Sequence, residues 1–200
     1  MGVQILNNKF FDQKSIEKWG VFYQDRDSIA AKTFVAMMEK VLQKQDYLAK
    51  PMAMFPINGN NIDLWYHEIK EKLLRKGQTD VQVIILLIPG KNGKSQLYRE
   101  LKRMTLQEIP VISQIILTGT VNFGKNLKSI TTKILAQICA KTGGIPWIID
   151  KLPLFDKKIM VCGLDSFHDV KGNCKSVLGF VSTYNRSATK YWSKSIIQNE

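Results

Sequence analysis

An almost unbroken aliphatic run, VQVIILLIP at residues 81–89, constrains the fold of this chain more than any other feature. A strand with one face in water alternates apolar and polar side chains, whereas a strand covered on both faces is aliphatic throughout. The run has the length of a strand, and a helical segment follows it. It therefore predicts a parallel strand inside a sheet that carries helices on both faces.

The segments around this run alternate between strand and helix periodicity. We predict strands near residues 19–23, 52–57 and 112–117, and helices near residues 28–42, 62–76, 96–104 and 127–141. The last helix stops at Thr142-Gly143-Gly144, and Trp147-Ile148-Ile149 is predicted as a further short strand. This order predicts the α/β class, with a doubly wound, Rossmann-like domain over about residues 78–152.

Charge, cysteine content and hydropathy indicate which kind of partner the chain binds and where in the cell it is located. The 29 Lys and Arg residues against 17 Asp and Glu give a net charge of +12, which favours a polyanionic partner. The three cysteines lack a C-x-x-C pair, so they indicate neither a disulfide framework nor a zinc site. With no signal peptide and no run of eighteen apolar residues, we expect an intracellular protein, cytoplasmic or nuclear, that does not cross a membrane.

The turn after the aliphatic run resembles a nucleotide-binding loop, but the spacing of its glycines excludes that interpretation. Gly93-Lys94-Ser95 resembles the end of a phosphate-binding loop, but the glycine needed five positions earlier is replaced by Ile88. A glycine-containing turn at a helix N-terminus can still present backbone N–H groups to an anion.

Two pairs with helical i,i+4 spacing are the candidate ligand residues of the Rossmann-like region. Tyr98 and Lys102 form one pair, Gln137 and Lys141 form the other, and Gln114 lies at the start of a predicted strand. An aromatic ring beside an ammonium group can stack on a base while the cation contacts its phosphate. An ordinary amphipathic helix with Tyr98 half buried is the alternative that spacing alone leaves open.

The C-terminal segment presents one carboxylate in a distinctive setting. A hydrophobic run ends at Asp165, and two further strand-like runs follow it, separated by turn residues. That order is typical of an RNase H-like core, in which carboxylates on strands hold catalytic metal ions. His168, three residues later, is interpreted as a structural histidine.

These motifs resemble the Argonaute/Piwi family. The resemblance is carried by GLDSFHD at 163–169, by GFV at 179–181 with Asn185, and by the ordered set Tyr98, Lys102, Gln114, Gln137 and Lys141. It implies that this set binds the 5′-monophosphate of a single-stranded small guide RNA in a MID domain, with Tyr98 stacking on the first base. Gln137 is similar to the Piwi branch, where a divalent cation, Mg²⁺ or Mn²⁺, bridges the phosphates. Asp165 matches the first metal-binding aspartate of the PIWI nuclease domain.

The resemblance also sets expectations for the whole chain. It implies a linker-like segment over 1–77, a MID domain over 78–152 and a truncated start of the RNase H-like PIWI domain over 153–200. Only one catalytic carboxylate is matched, so we expect no cleavage of target RNA by this chain alone. Alternative functions are a part of an RNA-cleaving nuclease that needs the missing C-terminal part, and a non-cleaving fragment that binds a protein at the exposed edge of its sheet.

Overall fold

The computed structural model describes residues 9–44, 53–74, 81–90, 95–121, 126–149, 157–168 and 175–199. The chain divides into two compact units, Met1–Pro146 and Trp147–Glu200. The sequence predicts boundaries near residues 77 and 152. Strands from both sides of residue 77 pair in one sheet.

The first unit is built on a four-stranded parallel sheet. Its strands are β1 (Trp19–Gln24), β2 (Ala53–Ile57), β3 (Val83–Ile88) and β4 (Ile112–Leu117), in the spatial order β2-β1-β3-β4. The predicted α/β class and parallel sheet are confirmed. Both β1 and β2 come from the segment that was expected to be linker-like.

Five α-helices are described in this unit. They are α1 (Ser28–Lys44), α2 (Ile62–Leu74), α3 (Gln96–Arg103), the one-turn α4 (Thr118–Val121) and α5 (Leu127–Lys141). A π-helical turn, Met104–Glu108, continues directly from α3. The four longer helices agree with the predicted ones to within about two residues.

The aliphatic run is explained by the two faces of β3. Its alternate side chains enter two separate cores, so every position along the strand has an apolar environment. Val83, Ile85 and Leu87 share one core with Phe34 of α1 and Leu135 of α5. The other face packs against α2 and α3, with Trp65, Ile69 and Leu101 fully buried.

The second unit is a three-stranded antiparallel sheet. Its strands are β5 (Cys162–His168), β6 (Lys175–Thr183) and β7 (Tyr191–Asn199), in the order β5-β6-β7. The hydrophobic run that ends at Asp165 contributes the first part of β5, and the strand continues three residues further to His168. The predicted strand at Trp147–Ile149 is wrong: this segment is irregular, has no pairing strand in the described chain, and leaves Trp147 54% exposed.

None of the helices in the described ranges is long and apolar enough to span a bilayer.

Candidate functional site

The parallel topology brings three chain segments to one edge of the first sheet. Helices α3 and α5 run antiparallel to the strands they pack on, so their C-terminal ends lie beside the start of β4. Lys102 is in the last turn of α3, and Lys141 is the last residue of α5. Lysines at these positions also interact favourably with the negative ends of the helix dipoles.

Both ammonium groups converge on one residue of β4, Ser113. Lys141 Nζ donates to the Ser113 carbonyl oxygen at 2.8 Å, and Lys102 Nζ lies 3.5 Å from the same oxygen. Lys102 Nζ is also 3.4 Å from Ser113 Oγ, which in turn lies 2.9 Å from Thr105 Oγ1 in the π-helical turn. Ser113 and Thr105 are buried, so this contact holds the end of α3 against the start of β4.

The two glutamines extend this network. Gln114, 8% exposed, accepts a hydrogen bond from Lys141 Nζ through its Oε1 at 2.7 Å. Its Nε2 donates to Gln137 Oε1 at 3.0 Å. Because Lys141 can only donate, its contact fixes the orientation of the Gln114 carboxamide. Gln137 itself is exposed on α5, one turn before Lys141.

The two lysines are cationic groups held in a partly desolvated place. Burial, and then the nearby charge of Lys102, lower the pKa of Lys141 to about 8. Burial also lowers the pKa of Lys102 from its ordinary value. Within the described ranges, neither lysine has a carboxylate partner. An anion that enters between them would neutralise both charges and relieve their mutual repulsion.

Tyr98 lies on the same helix but outside this network. Ser95 caps the N-terminus of α3, and its Oγ accepts a hydrogen bond from the Tyr98 backbone N–H at 3.2 Å. The Tyr98 ring is half buried and packs against the core formed by α2 and α3. Four of the five predicted residues are thus joined by hydrogen bonds, and Tyr98 is one helical turn before Lys102. Residues 91–94 of the glycine-containing turn lie outside the described ranges.

Ser113 and Thr105 belong to the network but are not among the site residues predicted from the sequence. The signal for Ser113 was present, because Ser113-Gln114 is a polar pair inside the otherwise aliphatic strand ISQIIL. Buried polar residues in a strand need hydrogen-bond partners, so the pair could have been assigned to the network together. Thr105 carried no comparable signal, since its role depends on the π-helical turn.

In the second unit, Asp165 stands in the middle of β5, opposite Gly179 of β6. Its side chain is exposed, and its Oδ1 accepts a hydrogen bond from the Ser166 backbone N–H at 2.9 Å. No group of three or more His, Cys, Asp or Glu residues that could hold a metal ion occurs in the ranges that the structure describes. Three other acidic residues occur in the segment 153–200, and all of them fall outside the described ranges: Asp156, Asp169 and Glu200.

His168 connects β5 to β6. Its Nδ1 lies 2.7 Å from Ser176 Oγ and its Nε2 lies 3.4 Å from Ser166 Oγ. A histidine with a serine hydroxyl at each ring nitrogen is held in a fixed orientation, which supports its interpretation as a structural residue.

Curated proteins similar to this chain carry Piwi and Argonaute names. The chain is 26% identical over 197 residues to Piwi-like protein Ago3 of Bombyx mori, and 24% identical over 195 residues to Protein argonaute-3 of Drosophila melanogaster. These alignments cover 98% of the chain but only 20% and 22% of the relatives. The chain therefore spans about a fifth of the length of the curated relatives it matches.

Solved structures show the same fold. Drosophila Piwi superposes with a TM-score of 0.83 at 18% identity, over 98% of this chain and 27% of that one. Clostridium butyricum Argonaute bound to a guide DNA and a target DNA gives a TM-score of 0.71 at 20% identity, over 98% of this chain and 29% of that one.

The family assignment rests on the sequence itself. The Piwi domain family matches residues 83–200, which include β3, β4, α5 and all of the second unit. The match covers more than half of the 200 residues, and the predicted membership is confirmed. The chain belongs to the Piwi domain family.

Proposed function

We propose that the pocket between Lys102 and Lys141 binds the 5′-monophosphate end of a single-stranded small guide RNA. The observation that carries this proposal is the convergence of both ammonium groups on the Ser113 carbonyl oxygen, with no carboxylate partner in the described chain. Two ammonium groups that are held close together and partly desolvated repel each other, so they need a counter-ion. A phosphate supplies strong acceptor oxygens for both.

The charge of the pocket favours a terminal phosphate over an internal one. A phosphomonoester carries a charge of about −1.5 to −2 at neutral pH, whereas a phosphodiester carries about −1. Two ammonium groups therefore attract the monoester more strongly than the diester. The pocket would then recognise the chemical state of the RNA end rather than its sequence.

Tyr98 is the residue on α3 that would contact the first base of the guide. It lies four residues before Lys102 and therefore on the same helical face. Stacking on an aromatic ring is tolerant of base identity, which suits a site that accepts many guides. The similar structures of Clostridium butyricum Argonaute with a guide DNA and Kluyveromyces polysporus Argonaute with a guide RNA support a nucleic-acid ligand.

A divalent cation, Mg²⁺ or Mn²⁺, would complete the charge balance at Gln137. Glutamine cannot neutralise a phosphate, but its carbonyl oxygen is a ligand that hard cations accept. Gln137 Oε1 currently accepts a hydrogen bond from Gln114 Nε2, and its exposed position on α5 leaves it accessible to a hydrated cation. Gln137 would hold the cation, which would supply positive charge to the bound phosphate.

Target cleavage is the second candidate function, and Asp165 is the observation that favours it. Argonaute and Piwi proteins are RNase H-like, and that chemistry needs several carboxylates around metal ions. Asp165 is exposed on β5 and available to a metal, so we propose it as the first metal ligand of the nuclease in a longer protein. This chain alone is proposed not to cleave RNA. The exposed apolar side chains of β7, Trp192 and Ile197, would meet further protein.

The central test compares two RNAs that differ only at the 5′ end. Fluorescence anisotropy with a 3′-labelled single-stranded RNA gives Kd for the 5′-phosphorylated and the 5′-hydroxyl form. We expect tighter binding of the phosphorylated form in Mg²⁺, and a smaller difference in EDTA. Equal Kd values for the two forms in Mg²⁺ would contradict the proposal that this site binds the 5′-phosphate.

A further inference from the structure

The second unit contains a basic groove that lies apart from Asp165. The groove has a volume of about 700 Å³ and is formed where the segment before β5 passes the end of β6. Thr183 fixes this junction, because its backbone N–H donates to the Val161 carbonyl at 2.9 Å and its Oγ1 accepts from the Val161 N–H at 3.0 Å. Asp165 lies four residues beyond Val161 along the extended chain, about 13 Å away.

Three cations line this groove. Lys157 and Lys158 come from the segment before β5, and Arg186 comes from the turn between β6 and β7. All three side chains are exposed, and none of the eight described residues that line the groove is acidic. The groove therefore presents positive charge without internal compensation from the described residues, which favours an anionic ligand.

The turn that carries Arg186 is held in place by Asn185. The Asn185 Nδ2 donates to Ser187 Oγ at 2.7 Å and to Thr189 Oγ1 at 2.9 Å. Its Oδ1 accepts from the backbone N–H groups of Thr189 at 2.9 Å and Lys190 at 2.8 Å. Every donor and acceptor of the carboxamide is used, so the turn is organised before any ligand arrives.

An aromatic side chain distinguishes nucleic acid from other polyanions as the ligand. Tyr184, also in the groove lining, is 66% exposed and directly precedes the Asn185 turn. An exposed ring beside guanidinium and ammonium groups is the combination with which single-stranded nucleic acids are bound, through base stacking and phosphate contacts. An acidic peptide would use the three cations but would gain little from the ring.

We infer that this groove binds the internal phosphodiester backbone of single-stranded RNA, independently of the 5′ end. Lys158 and Arg186 contact phosphates, and Tyr184 stacks on a base. The site is separate from the proposed 5′-phosphate pocket, which belongs to the first unit, and it requires neither a terminal phosphate nor a divalent cation.

The experiment uses the full chain and an unstructured RNA of about 16 nucleotides with a 5′-hydroxyl end. Kd is measured by anisotropy over a series of KCl concentrations for the wild type, Lys158→Ala, Arg186→Ala and the double variant. Each lost phosphate contact should reduce the steepness of log K against log salt by about 0.7. Each single variant should also weaken binding roughly two- to fivefold.

Matched controls separate the groove from general charge. Lys194→Ala removes one exposed cation from β7 of the same sheet, outside the groove lining, and should change the salt dependence less than either groove variant. Tyr184→Phe should bind like the wild type, whereas Tyr184→Ala should bind more weakly. Equal effects of Lys158→Ala, Arg186→Ala and Lys194→Ala would overturn the inference.

Two further outcomes decide between this groove and its alternatives. A polyglutamate peptide of equal charge that competes as well as RNA would assign the groove to acidic proteins instead. In the groove variants, the ratio of Kd values for 5′-hydroxyl and 5′-phosphorylated RNA should equal the wild-type ratio. A different ratio in the groove variants would place the lost contacts at the 5′ end and overturn the inference. A ratio near one in the wild type would contradict only the proposed 5′-phosphate pocket.

Discussion

The ammonium group of Lys141 donates to the carboxamide oxygen of Gln114 at 2.7 Å, which joins the end of α5 to the start of β4. This bond sets the direction of the Gln114 carboxamide, whose Nε2 then faces Gln137. One helix residue therefore orients the other polar groups of the site. Changes at Lys141 test both its charge and this orienting role.

Replacing Lys141 by alanine should selectively weaken binding of 5′-phosphorylated RNA. The variant loses one charge-assisted phosphate bond, worth about 1.5–3 kcal/mol. Binding of the 5′-hydroxyl RNA should change little, as measured by anisotropy with both RNAs. Lys128→Ala, which removes an exposed lysine from the same helix, is the matched control and should preserve the preference. Equal losses for both RNAs with Lys141→Ala would show that Lys141 does not contact the 5′-phosphate.

Binding of the 5′-phosphate should weaken as the pH rises through the pKa of Lys141. That pKa is lowered to about 8 by burial and by Lys102, so the ammonium loses its proton above this pH. Since a bound phosphate raises the pKa again, binding near pH 8 takes up a proton, and affinity falls by up to about tenfold per pH unit. Calorimetry in two buffers of different ionisation enthalpy measures this uptake. No proton uptake near pH 8 would contradict the prediction.

The stability of the free protein should show the opposite pH dependence. Between pH of about 8 and 10.5, the unfolded chain keeps the Lys141 proton that the folded chain has released. The unfolded state then binds more protons, so the free energy of unfolding rises with pH in this window. Lys141→Met should flatten this rise in urea titrations, whereas Lys128→Met should preserve it.

Replacing Gln137 by lysine should remove the need for a divalent cation. The new ammonium supplies in place the positive charge that Mg²⁺ or Mn²⁺ provides beside glutamine. In anisotropy titrations, we expect EDTA to weaken 5′-phosphate binding by the wild type but not by Gln137→Lys. Gln107→Lys adds the same charge at an exposed position of the π-helical turn and should remain sensitive to EDTA. A wild type insensitive to EDTA would exclude the bridging cation.

Removing the ring of Tyr98 should weaken the binding of 5′-phosphorylated and 5′-hydroxyl RNA to the same extent. Stacking contributes about 1–3 kcal/mol per base and does not depend on the terminal phosphate. Tyr98→Ala should therefore raise Kd for 5′-phosphorylated and 5′-hydroxyl RNA by the same factor, while Tyr98→Phe keeps the ring and binds like the wild type. Wild-type affinity of Tyr98→Ala would assign the ring to the core that it packs against.

Adding a methyl group at Gly144 should destabilise the first unit. A Cβ there would lie 2.6 Å from Cys139 Sγ and 2.8 Å from the backbone oxygen of Asp12, and the latter cannot move away by a rotamer change. We expect Gly144→Ala to lower the free energy of unfolding by about 2–3 kcal/mol. A Cβ added at Gly143 would have no atom within 4 Å. Gly143→Ala should therefore lower the free energy of unfolding by only about 1 kcal/mol, because of the positive φ at this position. Urea denaturation compares the two variants, and equal losses would contradict the predicted clash.

The elements of the fold could be predicted from local patterns. The aliphatic run of β3, the helical spacing in α5 and the Gly143-Gly144 stop each reflect the environment of a residue and its near neighbours. Such signals are encoded within a few turns of chain. The strand at Trp147–Ile149 was wrong because apolar residues form a strand only where another strand offers hydrogen bonds.

Four of the five residues predicted for the candidate site lie in one hydrogen-bonded network, whose arrangement the sequence does not reveal. Lys102, Gln114, Gln137 and Lys141 were identified from motif order, and the structure joins them through hydrogen bonds. Ser113 is a polar residue in an otherwise aliphatic strand, but residue type does not reveal that two lysines share its carbonyl oxygen.

The sequence by itself determined the α/β class and the family, and it proposed the candidate site residues, because these depend on composition and short-range order. Only the tertiary structure decided that β1 and β2 join the sheet of β3 and β4, and that two helix ends meet at Ser113. Strand order and register depend on pairing between residues far apart in the chain, where the free energy of packing selects among many locally equivalent arrangements.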